Sequence, residues 1–322
     1  MPLTDLSLAE CLAYRPELPA PADLDAFWGR TLAAAEAAAA PTRFEPVDTG
    51  LTQIDSYDVT ATGFDGQPVR GWLHLPAGAT GPLGCVVEYL GYGRGRGLPH
   101  QSLFWSSAGY AHLIMDSRAQ GWSTALGATP DPAEYRPGSV PGFLTRGIES
   151  PDTYYYRRII TDAVRFVAAA RSHPAIDPAR VVVTGISQGG GLSLAVAGLV
   201  PGLAGVMPDV PFLCDIRRGV ETAALPPYTE VSEYLRLHRG STEQVFRTLS
   251  YFDAALLATR ATAPSLFSIA LMDRICPPST CFAAYHGYGG AKELRVYEFN
   301  DHEGGAEHQQ LQQLAWLRTT IG

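Results

Sequence analysis

At 322 residues, with 46% hydrophobic and 17% charged side chains, the chain has the composition of a protein that buries a large core, which excludes an intrinsically disordered segment. Its net charge of −8 is spread without acidic or basic blocks. That leaves no electrostatic footprint for nucleic acid or an anionic membrane, and the expected partner is a neutral or weakly polar small molecule.

The chain begins MPLTDLSLAE, acidic almost at once, where a secretory signal shows a basic start and an unbroken apolar stretch. A cytoplasmic protein is therefore expected. The alanine-rich run at 33–40, broken by Glu36 and preceded by Arg30, reads as helix, so that about 1–45 forms an N-terminal helical extension. Strand-sized apolar runs follow at 54–61, 69–75, 85–90, 111–115, 181–184, 205–210, 266–271 and 294–299. Eight strands are implied. The first two, divided by Gly63, Asp65 and Gly66, read as an antiparallel hairpin at one edge. From the third onward the runs alternate with helical segments such as 154–172 and 189–199, the pattern of a mostly parallel sheet covered by helices on both faces. The expected fold is thus α/β, in a single domain over 1–322.

Two stretches break the alternation. Residues 122–149 are rich in Pro, Gly and Thr and form a long excursion; about 214–259 is a helical insertion between two strands. Long connections at one end of such a sheet commonly build substrate pockets. The uncharged stretch 189–207 has the length of a membrane span, but its glycines and Pro201 break it, and a buried helix followed by a buried strand is expected. Cys11, Cys85, Cys214, Cys276 and Cys281 are irregularly spaced, without CxxC or a matching set of histidines. Reduced thiols are expected, and neither disulfides nor a zinc site.

The sharpest signal is VVVTGISQGGG at 181–191, a β-branched strand running into GxSxG and then into a helix. In that context Ser187 sits on a tight strand-to-helix turn, projecting from the sheet, with the Gln188 backbone N–H aimed at a tetrahedral oxyanion. A serine hydroxyl needs a histidine base and an acid that orients it, in the chain order serine, acid, histidine. SLFSIALMD places Asp273 after a strand; Asp253, in the insertion, and Asp301, beside the candidate histidine, are poorer choices. LRVYEFNDHEGG places His302 between the last strand and the last helix, a better address than those of His74, His112, His286 or His308. The glycine-rich GYGRGRG at 91–97 follows the strand GCVVEYL, and its Tyr92 is the candidate for the second oxyanion N–H. A phosphate loop is excluded there by the missing GKS or GKT ending. The acyl pocket is expected to be walled by Tyr92, by Pro226, Pro227 and Tyr228 of the insertion, and by Ile275 and Cys276.

GYGRGRG, DSRAQG, PGFLTRGI, YYYRR, GISQGGG, DVPFLCDIRR, SYFD, LMDRICPPSTCFAAY and HEGG occur in an order that closely resembles the acetyl xylan esterase and cephalosporin C deacetylase family of α/β-hydrolases. The resemblance runs from about Asp23 to the C-terminus. It implies that Ser187, Asp273 and His302 match the family's triad, and the Tyr92 and Gln188 amides its oxyanion hole. It also implies an α/β-hydrolase fold, no cofactor, acetyl esters of short xylo-oligosaccharides or cephalosporin-type compounds as substrates, and a homo-oligomer, commonly a hexamer. The sequence itself offers for assembly only the apolar, Pro-rich excursion at 122–143. One departure is Ala119: the family usually has glycine there, and alanine is costly if the backbone needs a positive φ. The competing readings are a general carboxylesterase or peptidase of the same fold, or a catalytically silent binding protein; the latter is expected to have lost a triad position, and here all three are occupied.

Overall fold

The computed structural model describes residues 5–132 and 140–322. The middle of the 122–149 excursion, residues 133–139, lies outside the described residues. Nine strands form one sheet: β1 (Arg43–Val47), β2 (Ile54–Thr62), β3 (Pro68–Pro76), β4 (Leu83–Tyr89), β5 (Ala111–Met115), β6 (Ile176–Ile186), β7 (Gly205–Asp209), β8 (Ser265–Ala270) and β9 (Lys292–Tyr297), in the order β1-β2-β3-β5-β4-β6-β7-β8-β9. The β1–β2, β2–β3 and β3–β5 pairings are antiparallel and the rest parallel, so the antiparallel edge expected from sequence is present.

Three expectations are corrected. The eight expected strands are nine, because RFEPV forms β1 at the sheet edge, where no apolar alternation marks it: its residues are exposed or half-buried. The helical extension ends earlier than 45, since β1 begins at Arg43; its helices are Leu8–Ala13 and Leu24–Ala37. The last strand lies two residues upstream of the expected 294–299, and Phe299 is exposed. Its apolar weight draws the sequence reading past the ladder, whereas the strand's start carries the charged pair Lys292 and Glu293.

The valine run of β6 shows why such strands read as unbroken apolar segments. Val183, with Val87 of β4, joins the core under the Tyr155–Ser172 and Gln188–Leu199 helices, while Val182 and Val86 join a second cluster with Trp316 and Leu317 of the C-terminal helix Ala306–Thr320. Successive residues face opposite sides and both sides are covered. The 189–207 stretch is the expected buried helix followed by β7, and among the described residues no helix is long and apolar enough to cross a membrane. Between β7 and β8 the insertion supplies four helices, Ile216–Thr222, Tyr228–Leu237, Thr242–Ser250 and Ala254–Leu257. The Leu24–Ala37 helix docks on it through Trp28, whose indole N–H donates to the Tyr251 carbonyl at 2.9 Å.

The topology fixes where a site can open. The connection from β4 leads outward to β5, whereas β6 lies on the other side of β4, so the loops leaving the carboxyl ends of β4 and β6 diverge. Ser187 follows β6 and Tyr92 follows β4; Asp273 and His302 follow β8 and β9 at the same end of the sheet.

Candidate active site

Ser187 has φ 57° and ψ −117°, a strained conformation for a residue with a Cβ. Neighbouring backbone holds it there: the Ser187 N–H donates to the Asp209 carbonyl at 2.9 Å, and its own carbonyl accepts from Gly191 and Phe212 at 3.0 and 2.9 Å. The flanking glycines are required by close approach. A Cβ on Gly185 would lie 2.5 Å, and one on Gly189 2.0 Å, from the Tyr89 carbonyl oxygen of β4. The Gln188–Leu199 helix therefore starts hard against β4, with Ser187 at its tip.

The structure brings Asp273 and His302 together. The His302 Nδ1 lies 2.8 Å from Asp273 Oδ2, and Asp273 Oδ1 accepts the Ile275 and Cys276 backbone N–H groups, each at 2.8 Å. A carboxylate acts as acceptor, which assigns the proton to His302 Nδ1 and leaves Nε2 with a free lone pair. The two loops are tied together by Asp301, whose carboxylate receives the Arg274 guanidinium at 2.6 and 2.8 Å. Asp253, the other discarded acid, accepts four backbone N–H groups in the insertion, and burial pushes its carboxyl up to about 7. His74 and His112 are buried in β3 and β5, His286 contacts the Cys11 carbonyl, and His308 is exposed on the last helix.

The Cys276 thiol lies close beside the Ser187 side chain, and no hydrogen bond joins the Ser187 hydroxyl to His302 among the described residues. Asp273, Cys276 and His302 place their donor atoms within 4.8 Å of one another, the spacing of a metal site. The donor set suits a metal poorly: burial holds the Cys276 thiol well above its usual pKa, and both Asp273 oxygens are engaged. All five cysteines are buried and unpaired.

Tyr92 and Gln188 bring their backbone N–H groups to the same end of the sheet, and neither N–H has a partner among the described residues. What holds them was not legible in the sequence. The Gln120 Oε1 accepts the Gly93 N–H at 2.7 Å, and its Nε2 donates to the Gln188 Oε1 and Tyr155 hydroxyl, both at 2.9 Å. Gln188 returns an N–H to the Leu90 carbonyl at 3.2 Å. One buried amide pair thus joins the Tyr92 loop to the serine helix. Glu230 ties the Tyr92 side chain instead to the 142–144 segment, accepting the Tyr92 hydroxyl at 2.7 Å and the Gly142 and Leu144 N–H groups at 3.0 Å. The DSRAQG and YYYRR segments were a partial signal; Glu230, 138 residues from Tyr92, had none.

Of the expected pocket walls, Cys276 touches Ser187, Tyr228 is buried with its ring 4.5 Å from that of Phe212, Pro227 is buried and Ile275 half-buried. Pro226 is exposed, in the turn before the Tyr228–Leu237 helix, whereas Pro227 is buried. Ala119 has φ 57°, so the alanine does occupy the left-handed region. Ala119→Gly is expected to stabilise the chain by about 0.5–1 kcal/mol, the left-handed cost less the extra freedom glycine brings to the unfolded state. Urea denaturation checks this; a lower midpoint would show that the methyl's packing outweighs the strain.

The chain matches the acetyl xylan esterase (AXE1) family over residues 1–320. It is 27% identical over 319 residues to the acetyl esterase Axe7A of Xylanibacter ruminicola, covering 94% of this chain and 67% of that protein. Among solved structures, an acetyl xylan esterase from Paenibacillus sp. R4 superposes with a TM-score of 0.90 at 40% identity, over 98% of this chain and 100% of the other. Acetyl xylan esterase 1 from Thermoanaerobacterium sp. JW/SL YS485 superposes with 0.87 at 30%, over 98% and 99%. With a strand-to-helix serine turn at the centre of a mostly parallel sheet, and these similarities along its whole length, the chain belongs to the acetyl xylan esterase family and is a carboxylic ester hydrolase of the α/β-hydrolase fold.

Proposed function

We propose that the protein hydrolyses short-chain acyl esters, chiefly acetyl esters such as those of acetylated xylo-oligosaccharides and cephalosporin C, through a Ser187–His302–Asp273 triad and an acyl-enzyme. The observation that carries the reading is the 2.8 Å bond from His302 to Asp273 at the same sheet end as the strained Ser187. His302 Nε2 takes the Ser187 proton as Oγ attacks the acyl carbonyl. The oxyanion is received by the Tyr92 and Gln188 N–H groups. His302 then gives the proton to the departing alkoxide, leaving Ser187 acylated; a water molecule, activated by the same nitrogen, releases the acid and restores the serine. Asp273, held by two backbone N–H groups, fixes the imidazole's tautomer and orientation. Initial rates on acetylated xylobiose, cephalosporin C and a peptide amide test the substrate class; amide cleavage outpacing deacetylation would overturn it.

The acyl side is closed by rigid groups, with the Cys276 thiol on Ser187 and the Phe212–Tyr228 ring pair buried. Each methylene beyond acetyl must displace packed atoms instead of gaining the ~0.8 kcal/mol of a newly buried CH₂. Overpacking of about 1–3 kcal/mol corresponds to roughly 5- to 150-fold lower kcat/KM for longer acyl groups. A C2 to C8 p-nitrophenyl ester series is expected to fall from acetyl onward, and a maximum at C6 or C8 would contradict the closed pocket. We infer further that the chain assembles as a hexamer. Light scattering is expected to give a multiple of the 34.5 kDa chain mass, and the monomer mass at micromolar concentration would remove this inference.

A further inference from the structure

The backbone pairing that continues β8 and β9 ends just short of the triad. Its last rungs are the Leu271 N–H to the Tyr297 carbonyl at 2.9 Å and the Met272 N–H to the Asn300 carbonyl at 3.0 Å. Beyond them, among the described residues, no backbone–backbone hydrogen bond joins the loop that carries Asp273 to the loop that carries His302. The 2.8 Å bond from His302 to Asp273 therefore lies past the end of the ladder, where side chains must hold the two loops at that spacing. Among the described residues, one carboxylate makes all the other hydrogen bonds across the gap.

That carboxylate is Asp301. Its Oδ1 accepts two backbone N–H groups, that of Arg274 at 3.1 Å and that of His302 at 3.0 Å. These amides belong to the residue after the acid and to the base itself, so a single oxygen sets the backbone of one loop against that of the other. Its Oδ2 takes the Arg274 guanidinium at 2.8 and 2.6 Å, which keeps the carboxylate from turning away. Slight burial works to raise the Asp301 carboxyl, but the Arg274 hydrogen bonds prevail and hold it below its ordinary range, so at neutral pH it stays ionised. The Arg274 carbonyl accepts the Ala224 and Leu225 N–H groups at 3.1 and 3.2 Å, fastening the acid loop to the insertion as well. Glu303 braces only its own turn, accepting the Asn300 amide at 3.0 Å and the Asp301 N–H at 3.3 Å.

The His302 side chain is 23% exposed, and its one hydrogen bond among the described residues is to Asp273. Its aim thus depends on where its backbone is set, and a misplacement of about 1 Å can cost about 100-fold in rate. A purely stabilising role suits the pair poorly. The Arg274 and Asp301 side chains are 48% and 34% exposed, and so open an ion pair contributes little to folding.

We propose that Asp301 is a positioning residue of the esterase, setting the spacing of the acid and histidine loops and so the aim of the His302 imidazole. The proposal rests on the reading of Ser187, His302 and Asp273 as the triad.

The test measures kcat and KM per folded chain on p-nitrophenyl acetate for Asp301→Ala, Asp301→Asn, His302→Ala and the double variant Asp301→Ala with His302→Ala, beside their urea midpoints. Asp301→Ala is expected to lower kcat about 10- to 100-fold, with KM within about twofold and the midpoint unchanged. Asp301→Asn keeps an oxygen for both N–H groups and is expected to lose less. His302→Ala is expected to lose about 10⁴-fold. Because Asp301 acts through His302, removing it from the His302→Ala chain is expected to change nothing further. An unchanged kcat in Asp301→Ala, or a further tenfold fall in the double variant, would overturn the proposal and leave the triad in place. A loss in Asp301→Ala as large as that of His302→Ala would also overturn it, by making Asp301 the orienting acid. A His302→Ala chain with the wild-type rate would remove the triad, and this proposal with it.

Discussion

Ser187→Ala is expected to lower kcat by about 10⁴-fold or more while the protein remains folded. Alanine keeps the Cβ, so the strained φ of 57° and the surrounding bonds to Asp209, Gly191 and Phe212, all made by Ser187 backbone atoms, persist. What disappears is the oxygen that forms the acyl bond, and the residual rate is then that of a water attacking within the oxyanion site. The contact with Cys276 is lost too, but a thiol held protonated by burial is a poor substitute nucleophile. Initial rates on p-nitrophenyl acetate, with circular dichroism as the folding control, decide the matter. A folded mutant retaining a tenth of the wild-type rate would overturn the assignment, as would an organophosphate label found by mass spectrometry on another residue.

The second large effect is on stability. Arg118 is fully buried after β5, where Asp162 of the Tyr155–Ser172 helix receives its Nε and Nη2 at 2.6 and 2.8 Å; Gln67 and Asp131 take Nη1, and Arg158 shares Asp131. Asp162→Ala would leave a guanidinium charge buried with its main partner gone and the Phe64 N–H without its acceptor. Removing one member of such a pair costs about 3–5 kcal/mol, far more than the intact pair contributes relative to apolar residues. Urea denaturation with an unchanged m-value is expected to show that loss, and a change below about 1 kcal/mol would mean that Asp131 alone can hold the charge. Since Gln120 lies two residues beyond Arg118, esterase activity is expected to fall as well, through the Tyr92 loop.

The parallel half of the sheet was legible because Val86, Val87, Val182 and Val183 are buried on both faces and leave continuous apolar runs. β1 was not, because an edge strand that packs little needs no pattern. The site was legible where chemistry and local geometry coincide in a few residues: GISQGG demands its glycines, and Asp273 and His302 stand directly after strands. The supports were opaque for the opposite reason. Gln120, Gln188 and Glu230 act through contacts between segments 68 to 138 residues apart, and glutamine or glutamate at such positions carries no local mark. Pro226 and Pro227 are alike in sequence, yet only Pro227 is buried, a difference that stiffness alone does not mark.

The two free borders of the sheet bear on how copies of the chain can associate. At one border β1 carries Pro46, which has no N–H to offer, and its residues stay exposed or half-buried. At the other, β9 carries Lys292, Glu293 and Arg295 within six residues. Proline and charge at a ladder's margin discourage a second chain from continuing it. In the proposed oligomer the contacts between copies would therefore run through helices and loops, and the hydrogen-bonded ladder is expected to stop at nine strands even when the protein is concentrated, so crowding should not drive this sheet toward fibrils.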